Sequence, residues 1–597
     1  MTRKSNSALL TGASALALML AACEAPEAGD NAAPPAPPHA GNSDSEAEAP
    51  QAGEDGPLLA RLDWFHYEGG DPAHEAFPAG EGEFQNPVLG GFYPDPNILQ
   101  VGEDYYLTTS TFAYFPGLPV FHSRDLVNWT QIGNALDRTD MVDFGNLGLS
   151  RGIFAPAMAY HDGTFYMLNT CVDCGDNFII SATDPAGPWS APVWLPDLAG
   201  GIDPSLFVDE DGRAYILNNG PPDREPEYDG HRAVWIQQFD LETLTTFGER
   251  IVLVDGGVDF STQPIWIEGP HIYKVDGLYY LICAEGGTAE GHSQVVLRSE
   301  NPMGPYEAWD GNPILTQRDL PRDRPFPITS AGHASFVTTP SGEWWGTFLA
   351  VRPYGDDLYN TGRETFLMPV SWEEGWPRMT GDGDLIPYAY RRPDLPPQEP
   401  ADPPMAGAFE VHEDFSGPLP PHWMMLRLPQ ESWHDLDSEP GSLVLTARNV
   451  ALGENANPSY LGRRQQHMYA SASMRMRFEP QAAGDRAGLV ALQSDEYWYF
   501  IGLARDGDGD VIRVERRAGP EQDVHGEILA SVPFEGEAGA PIDLRITARA
   551  GEYDFHYALE EGRWQPLLED ADGTLLSTRI AGGFVGVTMG PYAYSGE

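Results

Sequence analysis

A hairpin signal recurs five times in this chain and limits the possible folds more than any other sequence feature. Each time, two turn residues separate an apolar strand from a strand that opens with an aromatic or small residue pair. The turns are Gly102-Glu103, Asp162-Gly163, Asp211-Gly212, Asp276-Gly277 and Ser341-Gly342. Glycine supplies the positive φ that tight hairpin turns require, so these dipeptides predict five hairpins.

The hairpins recur at intervals of roughly 50 to 65 residues, the length of a repeated structural unit. Four of them are followed by a second turn-rich segment, such as Ser123 to Trp129 and Ala182 to Trp189. Each unit therefore holds about four short strands, which is typical of a β-propeller blade. The sequence predicts an all-β protein with a five-bladed β-propeller over residues 84–395.

A different pattern follows the propeller. Residues 396–409 belong to a proline-rich linker, and residues 410–597 alternate strands with turns without the blade motif. This predicts a β-sandwich, a concanavalin-like jelly roll. The run Asp506 to Asp510 resembles a calcium loop. However, Val511 and Arg517 stand where an EF-hand needs Gly and Glu, so a hairpin turn is predicted there.

The N-terminus predicts export. Residues 1–22 combine a basic start with a short apolar run, and Leu20-Ala21-Ala22 precedes Cys23 as in a bacterial lipobox. The alternative is a soluble secretory signal with an incidental cysteine. Lipidated Cys23 would begin an Ala/Pro/Glu-rich tether assigned to residues 23–83. Glu24 stands where an Asp would signal retention in the inner membrane of some bacteria, which favours the outer membrane. The lipid anchor is the predicted membrane contact.

The charge balance bears on partners. The formal charge of −54 argues against nucleic acid but not against a neutral sugar.

The pair Cys171 and Cys174 lacks further ligands for a zinc site, which leaves either a local disulfide or two inert thiols. The oligomeric state stays open.

Titratable residues stand at the start of the first strand in four of the five units. Asp95, Asp203 and Glu268 open three of them, and His333 opens the fifth. First strands line the central channel of a propeller, so these side chains are predicted to share one axial cavity. Three convergent carboxylates without a Ser-His pair favour glycosidic bond hydrolysis. Gly148 to Gly152 matches G-x-S-x-G but lies in a loop rather than on a strand–turn–helix elbow.

Longer motifs around these residues resemble glycoside hydrolase family 43, most closely its β-xylosidase and α-arabinofuranosidase members. They are Asn86 to Pro96, Ile202 to Phe207, Glu268 to Tyr273, Gly332 to Val337 and Gly362 to Leu367. The resemblance covers the propeller and extends to the C-terminal sandwich. It implies an inverting exo-glycosidase that acts on xylo- or arabinoxylo-oligosaccharides.

The resemblance also implies roles for single residues. Asp95 would be the general base, Glu268 the general acid, and Asp203 the residue that tunes and orients the acid. Arg363 would contact sugar hydroxyls, Phe112 would wall the sugar site, and His333 would lie where relatives hold calcium or a water. A core position remains the alternative for His333 and Phe112. Phe154 stands where xylosidase relatives commonly carry Trp, which leaves the sugar preference open.

Several functions stay open at this point. Xylose is the first choice of released sugar and arabinofuranose the second, with arabinan as another possible substrate. A retaining fructan hydrolase also has five blades, but its Asp and Glu motifs do not match this chain. A non-catalytic glycan-binding lipoprotein is the alternative from another class.

Overall fold

The computed structural model describes residues 56–507 and 509–596, and nearly all of its regular structure is β-sheet. The predicted signal peptide, Cys23 and the first part of the tether lie outside the described residues. The helices are short, and none of those described is long and apolar enough to cross a membrane. They are α1 (Pro72–Ala76), α2 (Thr578–Ala581) and the 3-10 turns Pro196–Leu198, Phe260–Thr262 and Gly573–Leu576.

Five antiparallel sheets form the blades of a β-propeller, as predicted. Blade 1 contains β3 (Asn97–Val101), β4 (Asp104–Thr108), β6 (Gly117–Ser123) and β7 (Thr130–Leu136). Blade 2 contains β8 (Gly152–Ile153), β9 (Ala157–His161), β10 (Thr164–Val172), β11 (Asp176–Ala182) and β12 (Val193–Trp194). Blade 3 contains β13 (Ile202–Val208), β14 (Ala214–Gly220), β15 (Ala233–Asp240) and β16 (Thr245–Asp255). Every blade turns between its first two long strands at a predicted hairpin.

Two further blades and a closing strand pair complete the ring. Blade 4 contains β17 (Glu268–Val275), β18 (Leu278–Glu285), β19 (Ser293–Ser299), β20 (Glu307–Ala308) and β21 (Leu315–Thr316). Blade 5 contains β22 (Thr329–Thr338), β23 (Trp344–Val351), β24 (Glu364–Glu373) and β25 (Trp376–Arg378). The short strand β2 (Glu83–Gln85) pairs with β26 (Ala389–Arg391), so the two ends of the propeller segment meet. Separate apolar clusters fill the spaces between neighbouring blades.

The C-terminal domain is a sandwich of two antiparallel sheets. The first has the order β29 (His434–Asp435), β30 (Leu443–Thr446), β1 (Leu59–Gly69), β32 (Tyr469–Arg477), β37 (Ile542–Arg549), β38 (Glu552–Ala558) and β39 (Gln565–Asp572), with β27 (Phe409–Glu413) also paired to β1. The second has the order β36 (Glu527–Pro533), β35 (Gly509–Ala518), β34 (Tyr497–Asp506), β33 (Arg486–Ser494), β40 (Thr588–Tyr594), β31 (Ser459–Arg464), β28 (Met424–Leu426) and β5 (Tyr114–Phe115). Asp506 pairs with Gly509, so β34 and β35 form a hairpin, as predicted.

The tether assigned to residues 23–83 is wrong from Leu59 onwards, because β1 is an inner strand of the sandwich. Ala60, Leu62, Phe65 and Tyr67 are buried on one face of β1, and the strand pairs with β30, β27 and β32. This alternation of buried and partly exposed residues is the signature of a half-buried strand. The proline-rich composition that suggests a tether ends before this segment begins.

Propeller and sandwich share one apolar core. The largest buried cluster includes residues of blades 1 and 2 together with the inner faces of both sandwich sheets. β5, which lies between the second and third strands of blade 1, pairs with β28 at the edge of the second sandwich sheet. Residues 57–597 accordingly form one compact unit.

The open cysteine question is resolved by the hairpin between β10 and β11. Cys171 and Cys174 are joined by a disulfide with a Cα–Cα distance of 5.1 Å, and Cys283 is a buried free thiol.

Candidate active site

Backbone bulges aim the channel residues at the axis. In blades 3 and 5, the register of the first two strands shifts where Asp203 and His333 stand, so two residues face one partner. Both residues adopt positive φ, 55° in each case, and Asp95 in blade 1 has a φ of 56°. A bulge redirects a side chain out of the strand's regular alternation. Non-glycine residues in this conformation store strain that a functional site commonly requires.

Glu268 is offset by one residue from this pattern. The bulge of blade 4 lies between Glu268 and His271, and Gly269 rather than Glu268 carries the positive φ, 57°. The hairpin of blade 4 is tighter, because Val275 pairs directly with Leu278, whereas residues 209–213 and 339–343 form longer turns in blades 3 and 5. Channel residues that stand equally far from their hairpin turns in the sequence therefore do not occupy equivalent positions in their blades.

Gly269 makes room for the imidazole of His333. A Cβ at position 269 would lie 2.6 Å from His333 Nε2, and its backbone conformation disfavours other residues. The N–H of Gly269 donates to Asp203 Oδ2 at 3.0 Å. This one glycine therefore links the general-acid candidate, the modulator candidate and the channel histidine.

Asp95 is the most heavily paired carboxylate of the site. Its Oδ2 accepts a hydrogen bond from Ser110 Oγ at 2.6 Å, and its Oδ1 accepts one from Arg363 Nη1 at 3.1 Å. The Nδ1 of His333 lies 3.4 Å from the same Oδ1. Burial alone would raise the pKa of Asp95, but Arg363 and His333 outweigh it and hold that pKa well below its usual range. Asp95 is therefore an ionised carboxylate.

The other two carboxylates are shifted in the opposite direction. Burial raises the pKa of Asp203 to about 6, against the attraction of His333, whose Nε2 lies 4.0 Å from Asp203 Oδ2. Burial and the charge of Asp203 raise the pKa of Glu268 to about 8. The cavity thus holds one firmly ionised acid and one acid that keeps its proton at neutral pH.

His333 acts as a cation between two acids. Burial alone would lower the pKa of His333, but the hydrogen bond and charge of Asp95 and the charge of Asp203 overcome it and raise that pKa to about 9. The carboxylates around His333 suit its protonated imidazole better than a Ca²⁺ ion, which takes about six to eight oxygen ligands. Arg363 adds further positive charge beside Asp95. Calcium at this position stays a prediction.

Three phenylalanine rings pack together beside Arg363. Phe112 meets Phe154 edge to face at 5.5 Å and stacks on Phe584 at 5.8 Å between ring centroids. The guanidinium of Arg363 lies 5.8 Å from the Phe112 ring centre and 5.2 Å from that of Phe584. The structure thus brings together Arg363, Phe112 and Phe154, the three residues predicted to contact the substrate. It adds Phe584, which lies between α2 and β40 of the sandwich.

The G-x-S-x-G look-alike has a structural role in placing Phe584. Ser150 Oγ accepts a hydrogen bond from the backbone N–H of Phe584 at 2.8 Å. Ser150 therefore holds the sandwich loop against the propeller. No sequence signal predicts this contact.

A glycine-rich loop between β18 and β19 links the site to the sandwich. Thr288 Oγ1 accepts from Arg363 Nη1 at 3.0 Å, and two residues later Glu290 pairs with Arg579 of α2 at 2.5 Å. Arg322 contacts the same Glu290 oxygen at 3.2 Å. These contacts link Arg363, through the loop, to an arginine of the sandwich. No sequence motif marks Ser110, Thr288, Phe584 or Arg579.

The chain matches two protein families along its length. Residues 84–377 match the family described as "Glycosyl hydrolases family 43". Residues 412–597 match "Beta xylosidase C-terminal Concanavalin A-like domain".

Similar proteins cover both domains. The chain is 37% identical over 521 residues to a xylosidase/arabinosidase of Butyrivibrio fibrisolvens, covering 85% of this chain and 95% of the relative. It is 36% identical over 516 residues to a non-reducing end alpha-L-arabinofuranosidase of Bacteroides ovatus, covering 85% and 91%. A crystal structure described as a GH43_12 from a capybara gut metagenome superposes with a TM-score of 0.83 at 39% identity, covering 90% of this chain and all of the other.

Proposed function

The chain belongs to glycosyl hydrolases family 43, and from this membership we propose that it releases terminal xylose or arabinofuranose from xylan-type oligosaccharides. Relatives named for both activities match more than four-fifths of the chain. The crystal structure of a xylan beta-1,4-xylosidase from Bacillus halodurans also superposes with a TM-score of 0.76 at 32% identity. These names support the substrate class, and the chemistry follows from the site.

The opposite pKa shifts of Asp95 and Glu268 carry the assignment of roles. Asp95 is ionised and buried, so it can take a proton from a water molecule as general base. Glu268 keeps its proton to about pH 8, so it can protonate the leaving sugar oxygen as general acid. Asp203 raises the pKa of Glu268 by its charge and accepts the hydrogen bond from the next residue, Gly269. It is the modulator in this scheme.

The reaction is a single displacement. Water deprotonated by Asp95 attacks the anomeric carbon while Glu268 donates its proton to the glycosidic oxygen, so the C–O bond breaks with inversion. The released sugar carries the new hydroxyl, and the protons on Asp95 and Glu268 are reset through solvent. Positive charge on Arg363 and His333 keeps Asp95 ionised until it takes the proton from water.

The three phenylalanine rings support removal of single terminal sugars. Phe584 comes from the sandwich and lies against Phe112, Phe154 and Arg363. A pentose ring is apolar on its faces and polar at its edges, so rings can pack on it while Arg363 binds hydroxyl groups. Because these rings close one side of the binding site, they favour a pocket that holds a single terminal sugar over an open cleft.

Export with a lipid anchor on Cys23, on the outer membrane, is part of the same proposal. It is supported by the basic and apolar pattern of residues 1–22 and the Leu-Ala-Ala-Cys sequence. The disulfide between Cys171 and Cys174 adds support, because disulfides persist in oxidising compartments outside the cytosol.

Proton NMR of the reaction products tests the proposal. Purified protein would be incubated with xylobiose and with an arabinose-substituted xylo-oligosaccharide. We expect α-xylose to appear first from the β-linkage, which establishes activity, exo action and inversion together. First release of β-xylose would contradict inversion. Binding of both sugars without cleavage would favour the non-catalytic glycan-binding alternative.

A further inference from the structure

A mirrored pair of motifs lies on the outer face of the sandwich, away from the catalytic cavity. β1 carries His66-Tyr67-Glu68, and β27 carries Glu410-Val411-His412. Antiparallel pairing places His66 opposite His412 and Glu68 opposite Glu410. Tyr67 and Val411 are buried in the core, so the two histidines and two glutamates share the opposite face.

Three of these four side chains are already close together. One donor atom each from His66, Glu68 and Glu410 lies within 4.8 Å of the other two. His66 Nε2 is 3.9 Å from Glu410 Oε2, and the ring centroids of His66 and His412 are 6.0 Å apart. Neighbouring donors around a tetrahedral zinc ion are about 3.3 Å apart, so side-chain rotation alone can close the gap.

The charges of Glu68 and Glu410, which lie opposite each other, favour binding of a cation. Like charges directly opposite each other on two strands destabilise the pair, and the protein carries a formal charge of −54. The nearby cations of this face have other contacts. Arg475 pairs with Asp543 at 2.6 Å. Arg545 attracts Glu68 from two strands away, but its guanidinium stacks on Trp564 at 4.3 Å.

We propose that His66, Glu68, Glu410 and His412 bind a divalent transition-metal ion of the zinc type. Two imidazole nitrogens and two carboxylates suit Zn²⁺ and its neighbours, whereas Ca²⁺ and Mg²⁺ prefer oxygen donors alone. β1 precedes the propeller in the chain and β27 follows it, so the ion clamps the two segments that enter and leave the propeller.

Competition with a chromophoric chelator tests this site on the full-length protein. We expect one Zn²⁺ per chain with a Kd of about 10 μM or tighter. His66→Gln and Glu410→Gln should each weaken binding about tenfold or more. His161→Gln is the matched control, because His161 lies beside Asp162 on blade 2 at 3.5 Å and outside the site. It should bind Zn²⁺ as the unaltered protein does.

Thermal unfolding gives a second readout that does not depend on the glycosidase activity. An ion that binds only the folded chain raises its unfolding temperature, so at equal Zn²⁺ the unaltered protein should be stabilised more than the His66→Gln variant. If Zn²⁺ binds the His66→Gln/Glu410→Gln double variant as tightly as the unaltered protein, the site is refuted. Absence of measurable Zn²⁺ binding to the unaltered protein also refutes it.

Discussion

At the scale of single residues, the site depends on side chains held in positive-φ positions. Asp95, Asp203 and His333 all adopt φ near 55°, which is uncommon for residues with a Cβ. Their sequence order and spacing from the hairpin turns could be recognised without a structure. The one-residue offset of Glu268 could not, because it depends on how many residues each turn contains.

Replacement of Asp203 by Asn should move the alkaline limb of the pH profile. The charge of Asp203 raises the pKa of Glu268, which lies at about 8, and Glu268 must be protonated to act as an acid. Without that charge Glu268 loses its proton at lower pH, so kcat/KM should fall at lower pH than in the unaltered enzyme. Asn still accepts the hydrogen bond of Gly269. An unmoved limb would contradict the modulator role.

The acid and base should respond differently to the leaving group. Glu268→Gln should lower turnover of xylobiose by about 10²- to 10⁴-fold, but much less for an aryl xyloside whose leaving group needs no proton. Asp95→Asn should abolish both reactions, since water activation is needed in each case. Comparison of kcat/KM for the two substrates measures this difference. Near-normal activity of Asp95→Asn would make the base assignment wrong.

At the scale of elements, loops from two domains meet beside Arg363. Arg579 of α2 pairs with Glu290 at 2.5 Å, and the loop that carries Glu290 also places Thr288 on Arg363. Arg579 is therefore a positioning residue that acts through this loop.

Arg579→Ala should weaken catalysis without unfolding the protein. The pair with Glu290 is partly exposed, so its loss should lower kcat/KM about three- to tenfold, mainly through KM. Arg579→Lys should restore part of the loss. Arg563→Ala removes a more exposed ion pair, with Glu560, and should leave the kinetics unchanged. Equal kinetic effects of Arg579→Ala and Arg563→Ala would exclude the positioning role.

The elements differ in how well the sequence predicts them. Hairpins with glycine turns are local, so all five blades and the hairpin near Asp506 were predicted correctly. β1 was missed because its partners β27, β30 and β32 come hundreds of residues later, and its neighbourhood in sequence is proline-rich. Phe584 and Arg579 reach the cavity only through domain docking, so their residue types and spacing give no signal.

At the scale of the whole molecule, a buried ionic network joins three parts of the chain. Arg352 of the propeller donates to Glu364 at 2.6 Å and to Asp71 at 2.5 Å. Asp71 also accepts a hydrogen bond from the backbone N–H of Tyr469 in the sandwich at 3.1 Å. All three charged side chains are almost completely buried. The network therefore couples the segment before the propeller to both domains.

Asp71→Ala should destabilise the protein strongly. Arg352 keeps Glu364 as a partner in this variant, but Arg352 Nη1 and the N–H of Tyr469 lose their buried acceptor. Such a loss costs about 1 to 3 kcal/mol for each donor. Urea unfolding should show a lower midpoint. Asp63→Ala is the control, since Asp63 pairs with Arg477 at the surface and its loss should cost about 0 to 1 kcal/mol. Similar costs for the two variants would contradict the role of the network.

The position of β1 also has a consequence for biosynthesis. Its neighbours in the first sandwich sheet are translated only after the complete propeller. At about 5 to 20 residues per second, the roughly 340 residues between Gly69 and Phe409 take on the order of 20 to 70 s to synthesise. During that time the apolar face of β1 has no native partner, so a chaperone or the translocation machinery must shield it until the C-terminal third of the chain arrives.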